Sequence, residues 1–224
     1  MSEIRTIVVN RSAYADNDLE ANYLRDYLKD KGTFVVNLMS SPGAGKTTTL
    51  TKLINVLKDT FRIGVMEADI DSDVDAISIA KKTGVKSIQL HTSGMCHLDA
   101  GMTKSGLDGI NIEDLDLVFL ENVGNLVCPA EFDTGASLDI MILSVPEGDD
   151  KPLKYPLIFE KCDLVIINKI DTIDYFDFDF KKCEEVIKRR NKNATIIPIS
   201  AKTGENINLV KEYFIKTITN WKEK

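Results

Sequence analysis

Apolar residues recur along this chain in short, nearly unbroken runs, separated by polar stretches whose apolar positions return at helical spacing. Runs over 34–39, 62–66, 87–90, 115–120, 139–145, 164–168 and 195–199 have strand composition. Several are apolar at consecutive positions, the pattern of strands covered on both faces rather than one. Helical spacing appears over 16–31 (Leu19, Tyr23, Tyr27, Leu28), 46–58, 74–82, about 98–104, 178–190 and 207–221. Strands alternating with helices predict an α/β fold, doubly wound around a mainly parallel sheet. We place that domain over 32–224, after a helical extension over 1–31 that lies on the domain or serves as a partner-facing arm.

The first strand runs into Ser40-Ser41-Pro42-Gly43-Ala44-Gly45-Lys46-Thr47-Thr48. An apolar strand, a turn of small residues and then Gly-Lys-Thr at a helix start form a phosphate cradle, because backbone N–H groups must point inward around a tight turn that side chains would obstruct. Gly43, Ala44 and Gly45 are accordingly small, Lys46 brings a point charge to the β/γ phosphates, and the Thr47 hydroxyl can ligate Mg²⁺. Ser40 stands where the usual motif has glycine.

Further along, Glu121-Asn122-Val123-Gly124 follows the fourth strand, where a P-loop protein places an acidic group near Mg²⁺ and a glycine near the γ-phosphate; Glu121 replaces the commoner Asp. Asn168-Lys169-Ile170-Asp171 ends the sixth strand, at the edge where α/β sheets bind ligands. A carboxylate at Asp171 accepts both the N1–H and the exocyclic amine of guanine, a donor pair adenine lacks. Asn168 can meet the base edge, the Lys169 stem can cover its face, and Ser200-Ala201-Lys202 follows the last strand like a base-contacting loop. GTP is therefore expected over ATP, which leaves an ATP-dependent kinase as a weaker alternative.

Two clusters remain. The acidic run 69–75 begins like a calcium loop, but Val74 and Ala80 occupy the positions that need Gly and Glu. Asp69 is instead expected near Mg²⁺ or the attacking water, making Lys46, Asp69 and Glu121 the catalytic candidates and Thr47, Asp69 and Glu121 the Mg²⁺ ligands. Asp73 and Asp75 are expected to cap a helix. The second cluster is Cys96-His97, with Cys128 four residues after Gly124. Thiolate and imidazole donors suit Ni²⁺, Zn²⁺ or Cu, and three per chain leave a site for water or a second chain to complete. Each residue alone would read as packing; the three together read as metal ligands. The remaining cysteines, Cys162 and Cys183, are expected in the core or at the surface, and no account is available for the aspartate-aromatic stretch 171–180.

Composition narrows the partners. A formal net charge of −7 over 224 residues, with pI near 5.0 and no basic stripe, argues against nucleic acid and anionic membrane. No leader opens the chain and no apolar run reaches bilayer length, so a soluble cytoplasmic protein with reduced cysteines is expected.

The cradle, the Cys96-His97-Leu98-Asp99-Ala100 segment, the stretch Glu121-Asn122-Val123-Gly124-Asn125-Leu126-Val127-Cys128-Pro129-Ala130-Glu131-Phe132-Asp133 and Asp150-Lys151-Pro152-Leu153-Lys154-Tyr155-Pro156 together resemble the HypB family of hydrogenase nickel-incorporation GTPases, in the G3E group of metallochaperones. The likeness runs from about Gly32 to the C-terminus, and Ser40 is typical of that family. It implies a SIMIBI-type P-loop NTPase fold and GTP hydrolysis. It also implies a nucleotide- or metal-linked homodimer, Ni²⁺ or Zn²⁺ held by Cys96, His97 and Cys128 at the dimer face, and nickel delivery to a hydrogenase large-subunit precursor with a HypA-type chaperone. Residues 1–31 hold neither Cys nor His, so a nickel-storage tract is not expected there, and Gly101 stands where some members carry a further His. A urease or cobalamin-enzyme chaperone of the same group, or a GTP switch without a metal role, are the alternatives.

Overall fold

The computed structural model describes residues 10–69, 74–92 and 94–223, with the side chains of 10–15, 69 and 74–76 outside the description. Seven strands form one sheet: β1 (Phe34–Ser40), β2 (Ile63–Asp69), β3 (Lys86–His91), β4 (Leu117–Glu121), β5 (Leu138–Ser144), β6 (Leu164–Asn168) and β7 (Thr195–Pro198). Their order is β3-β2-β4-β1-β5-β6-β7 and every pairing is parallel, so the expectation of a mainly parallel sheet is sharpened to a wholly parallel one. All seven expected strands are present, shifted by a few residues at their ends.

The helices are α1 (Asn10–Lys31), α2 (Lys46–Leu57), α3 (Val74–Thr83), α4 (Ala100–Ile110), α5 (Cys128–Glu131), α6 (Lys151–Lys154), α7 (Pro156–Lys161), α8 (Phe180–Arg190) and α9 (Ile207–Glu223). Helix α1 begins earlier than its apolar periodicity suggests and α4 runs past Lys104. The turns α5, α6 and α7 went unread, although Pro129, Pro152 and Pro156 occupy the first helical positions, where a missing N–H costs nothing.

The sheet is buried on both faces. Along β1, Phe34, Val36 and Leu38 face α2 and α9, whereas Val35 and Met39 face the opposite layer. On α2, Leu50, Leu53, Ile54 and Leu57 return at helical spacing and are fully buried, each contributing about 1.5–3 kcal/mol of burial. Helix α1 lays Leu24 and Leu28 into the core shared by Val35, Met66 and Leu107. Cys162 and Cys183 are both fully buried beneath α7 and α8, in the packing role expected of them. Strand β1 therefore sits at the centre, where the order reverses and where an open α/β sheet binds ligands beyond its strand ends. Among the described residues no helix is long and apolar enough to cross a membrane.

Candidate nucleotide and metal sites

The cradle leaves β1 at Ser40 and closes at Gly45, whose φ of 94° caps α2 in the left-handed region. That conformation is not the only demand on Gly45: a Cβ there would stand 2.5 Å from Asn168 Nδ2. Ser40 is fully buried and its hydroxyl lies 3.4 Å from Lys46 Nζ, so the residue that departs from the usual glycine holds the cradle lysine. The Ser41 hydroxyl donates to Glu147, which in turn accepts from the backbone and hydroxyl of Ser144 at the end of β5.

Glu121 ends β4 with 2% of its surface exposed. Thr47 Oγ1 donates to its Oε1 at 3.0 Å, and Lys46 Nζ stands 3.9 Å from the same oxygen. A buried carboxylate beside a hydroxyl offers the hard oxygen donors Mg²⁺ takes, so this pair fits that ion. The expected third ligand, the Asp69 carboxylate, lies outside the described residues, as does 70–73 of the acidic run. Beyond Glu121 the turn is fixed from below. Asn122 is fully buried, its Nδ2 donates to Asn37 Oδ1 at 3.0 Å, and its Oδ1 accepts from Val123 N at 2.9 Å. Asn37 in turn donates to Asp139 Oδ1 at 2.8 Å across the β1–β5 register. Burial pushes the Asp139 carboxyl up to about 6. Asn122 belongs to the Glu121-Asn122-Val123-Gly124 motif, but its bond to Asn37, and that of Asn37 to Asp139, left no mark in the sequence.

The base-side residues converge on a cavity of about 350 Å³ lined by Gly45, Thr48, Asn168, Lys169, Asp171, Thr172, Ala201 and Lys202. Asn168 is buried and braces two loops: its Nδ2 donates to Ala44 O and its Oδ1 accepts from Ala201 N, both at 3.0 Å. Lys169, at a φ of 63°, lines the same cavity and donates from Nζ to Gly43 O at 2.6 Å. The Ser200 hydroxyl donates to Asp171 Oδ1 at 2.6 Å. Of the aspartate-aromatic stretch, Asp179 caps α8 and Phe178 is buried in the core, while Tyr175 and Phe176 stay exposed.

Cys96, His97 and Cys128 come together, although 32 residues separate the thiols. One ligand atom from each lies within 4.8 Å of the others, and the two Sγ atoms are 2.8 Å apart. Hydrogen bonding to Cys128, then burial, raises the Cys96 pKa above its ordinary value. Burial lowers that of His97 and favours the neutral, ligating imidazole. The His97 ring stacks on Phe132 with centroids 3.7 Å apart, and its buried Nδ1 has no hydrogen-bond partner. A buried imidazole with an unpartnered nitrogen, grouped with two thiols, fits a borderline-soft cation. The other histidine, His91, is exposed at the end of β3 and is not part of this group.

The two sites share a loop. A Cβ on Gly124 would lie 3.2 Å from Pro42 Cγ and 3.3 Å from Pro42 N, so the segment after Glu121 runs against the cradle. The next residue, Asn125, donates from Nδ2 to Cys96 O at 3.4 Å and accepts from Val127 N at 2.9 Å, one residue before Cys128.

The family model described as "CobW/HypB/UreG, nucleotide-binding domain" matches residues 34–198. The hydrogenase maturation factor HypB of Azotobacter chroococcum is 42% identical over 207 residues, covering 92% of this chain and 68% of that protein. The hydrogenase/urease maturation factor HypB of Helicobacter hepaticus is 41% identical over 213 residues, covering 93% and 87%. Among solved structures, HypB from Helicobacter pylori in complex with nickel superposes with a TM-score of 0.86 at 38% identity, over 92% of this chain and 96% of that one.

Proposed function

The chain belongs to the HypB branch of the CobW/HypB/UreG family of nucleotide-binding proteins, and from that membership we propose that it is a GTP-hydrolysing metallochaperone. It takes Ni²⁺ or Zn²⁺ on Cys96, His97 and Cys128 and passes nickel on during the maturation of nickel-iron hydrogenase. The observation that carries this reading is the shared loop. Gly124 abuts Pro42 of the cradle, and Cys128 follows four residues later beside Cys96. A ligand at the terminal phosphate and an ion between the thiols therefore pull on one segment.

The chemistry follows from the residues. Ser200 occupies one oxygen of Asp171, which fixes the carboxylate so that it can accept the N1–H and amine of guanine. The Lys169 stem covers the base, Asn168 holds the cradle and the Ser200-Ala201-Lys202 loop at fixed separation, and backbone N–H groups of residues 43–48 meet the phosphates. Lys46 leaves Ser40 and Glu121 to neutralise the β/γ oxygens. Mg²⁺, on Thr47 and Glu121, supplies further charge neutralisation when bound. Water then adds to the γ-phosphorus as its bond to the bridging oxygen breaks, giving GDP and phosphate, with Asp69 the proposed carboxylate near that water.

The metal is cargo. Three half-exposed ligands leave one position for water or for a second copy of the chain, which supports a homodimer linked by nucleotide or metal. Ni²⁺ over Zn²⁺ cannot come from this donor set, so a HypA-type chaperone and the hydrogenase large-subunit precursor supply direction. Such an exchange belongs in the cytoplasm, where thiols stay reduced. The name of the Helicobacter hepaticus relative joins hydrogenase to urease maturation, which makes urease the second reading for the recipient.

Phosphate release from GTP and ATP, together with calorimetric Ni²⁺ binding before and after Cys96→Ser and Cys128→Ser, tests the reading. GTP turnover is expected, with nickel binding weakened about 100-fold in both variants. Nickel binding untouched by either substitution leaves a guanine-nucleotide switch with structural cysteines.

A further inference from the structure

The two halves of the metal site sit on segments that the sheet does not hold together. Cys96 and His97 precede α4, beyond the end of edge strand β3, and Cys128 starts the four-residue α5 beyond β4. Both segments pass under α1, and one buried side chain reaches each of them. Asn17, 7% exposed, accepts from Ala100 N through Oδ1 and donates from Nδ2 to Asp133 O, both at 3.0 Å. Ala100 lies three residues after His97, at the first turn of α4. Asp133 follows Phe132, whose ring stacks on His97. An asparagine suits this place because it alone among residues of its size offers one acceptor and one donor on a rigid planar fork.

Other contacts along α1 aim it at the same segments. The Arg25 guanidinium pairs with the Asp133 carboxylate and donates from Nε to Ala136 O at 3.2 Å. Gly135, at a φ of 72°, lets the chain come so close to α1 that a Cβ there would lie 2.8 Å from Leu24 Cδ2. At the other segment, a Cβ on Gly101 would lie 3.4 Å from Glu20 Oε2. Helix α1 is thus seated on both sides of the site at once.

We propose that Asn17 is a positioning residue of the metal site: it sets the span between the Cys96-His97 segment and the Cys128 segment, so that helix α1, far in sequence from either, determines how well an ion is gripped. This rests on the metal reading given above. Losing both arms leaves a buried N–H at Ala100 and a carbonyl at Asp133 unpaired, and the two segments separate until each finds water. A site whose donors stand an ångström too far apart loses affinity without losing a ligand.

The test uses the full chain with Asn17→Ala and Asn17→Asp. The second variant keeps the acceptor toward Ala100 but sets an oxygen against the Asp133 carbonyl. Ni²⁺ titration followed by the thiolate-to-nickel absorption band, GDP affinity, and the rate at which a trivalent arsenical bridges the two thiols are read together. For Asn17→Ala we expect about tenfold weaker nickel binding, an altered band and slower bridging, with GDP affinity within about twofold of wild type. Asn17→Asp should behave likewise, and remains the working comparison if the alanine variant does not fold. Wild-type nickel affinity and bridging rate in the variants overturn the proposal, as does a parallel fall in nickel and GDP affinity, which marks a general structural role. The bridging readout needs no nickel, so failure of the metal reading, seen as absent nickel binding in the wild type, stays distinguishable from failure of the clamp.

Discussion

The proposed nucleotide end and the proposed metal end of this molecule are joined by one loop but are built in opposite ways. Around the cradle, residues stand beyond the carboxyl ends of β1, β4, β6 and edge strand β7, and each is tied to at least one other: Asn168 to Ala44 and Ala201, Lys169 to Gly43, Ser200 to Asp171, Thr47 to Glu121. Around the thiols, Cys96, His97 and Cys128 are all half-exposed and hang on segments beyond the sheet, joined by the Asn125 bond to Cys96 O and braced from outside by Asn17. A site formed in advance binds its ligand at little reorganisation cost, whereas a site held by few bonds responds to what its neighbours do. The difference suits a device in which the first site informs the second.

Substitutions can break that comparison at chosen points. The largest effect is expected for Asp171→Asn. Its amide presents a donor where the carboxylate accepted the guanine amine, so GTP affinity should fall about 1,000-fold while xanthosine triphosphate gains, with nickel binding in the absence of nucleotide unchanged. Competition between the two nucleotides measures it. Cys128→Ser should act in the mirror sense, lowering nickel affinity about 100-fold with GDP affinity retained, as calorimetry would report. If either variant damages both sites alike, the two ends are not the separate constructions described.

Gly124→Ala tests what joins them. Its methyl would stand 3.2 Å from Pro42 Cγ and 3.3 Å from Pro42 N, contacts tight enough that the loop and Pro42 must shift apart by a few tenths of an ångström. Each ligand should still bind, but about tenfold of mutual influence should disappear, read as equal nickel affinity in the GDP and GTP-analogue states. The smallest effect concerns the relay beneath the turn. Because burial raises the Asp139 carboxyl to about 6, above its unfolded value, the folded chain binds the extra proton between about pH 4 and pH 6. Its contribution to stability therefore falls as pH rises through that window and stays low above it. Asp139→Asn keeps an acceptor for Asn37 and should add about 1 kcal/mol at pH 7 to 8, discounted for partial exposure, and nothing near pH 4. Denaturant titration at the two pH values checks both.

The same contrast governs what the chain disclosed in its letters. The seven strands were legible because a parallel sheet covered on both faces writes continuous apolar runs, and the cradle and the loops after β6 and β7 were legible as strand-end segments that the fold brings to one cavity; guanine is the proposed occupant there. Cys96, His97 and Cys128 were legible as donors by type, and the fold brings them together as expected. Their support was not legible. Asn17, Asn37 and Asn122 act through hydrogen bonds between distant segments, and an asparagine on a polar helix such as α1 carries no sign of a buried partner 83 residues away. Phe132 beside His97 read as part of a motif, with no hint of stacking. Helix α4 was cut short because Gly106 and Gly109 weaken its propensity, and α6 and α7 because their prolines and their four to six residues fall below any periodic signal.

The central claim is that the phosphate-sensing turn and the thiol of Cys128 move as one. Nickel affinity measured by calorimetry in the GDP state and with a non-hydrolysable GTP analogue, and guanine-nucleotide affinity measured with and without nickel, test it most directly. The account predicts that nickel affinity differs about tenfold between the two nucleotide states, and that nickel changes the ratio of analogue to GDP affinity by the same factor, about 1.4 kcal/mol in either direction. Equal nickel affinity in both states, with guanine-nucleotide affinity indifferent to nickel, would contradict it.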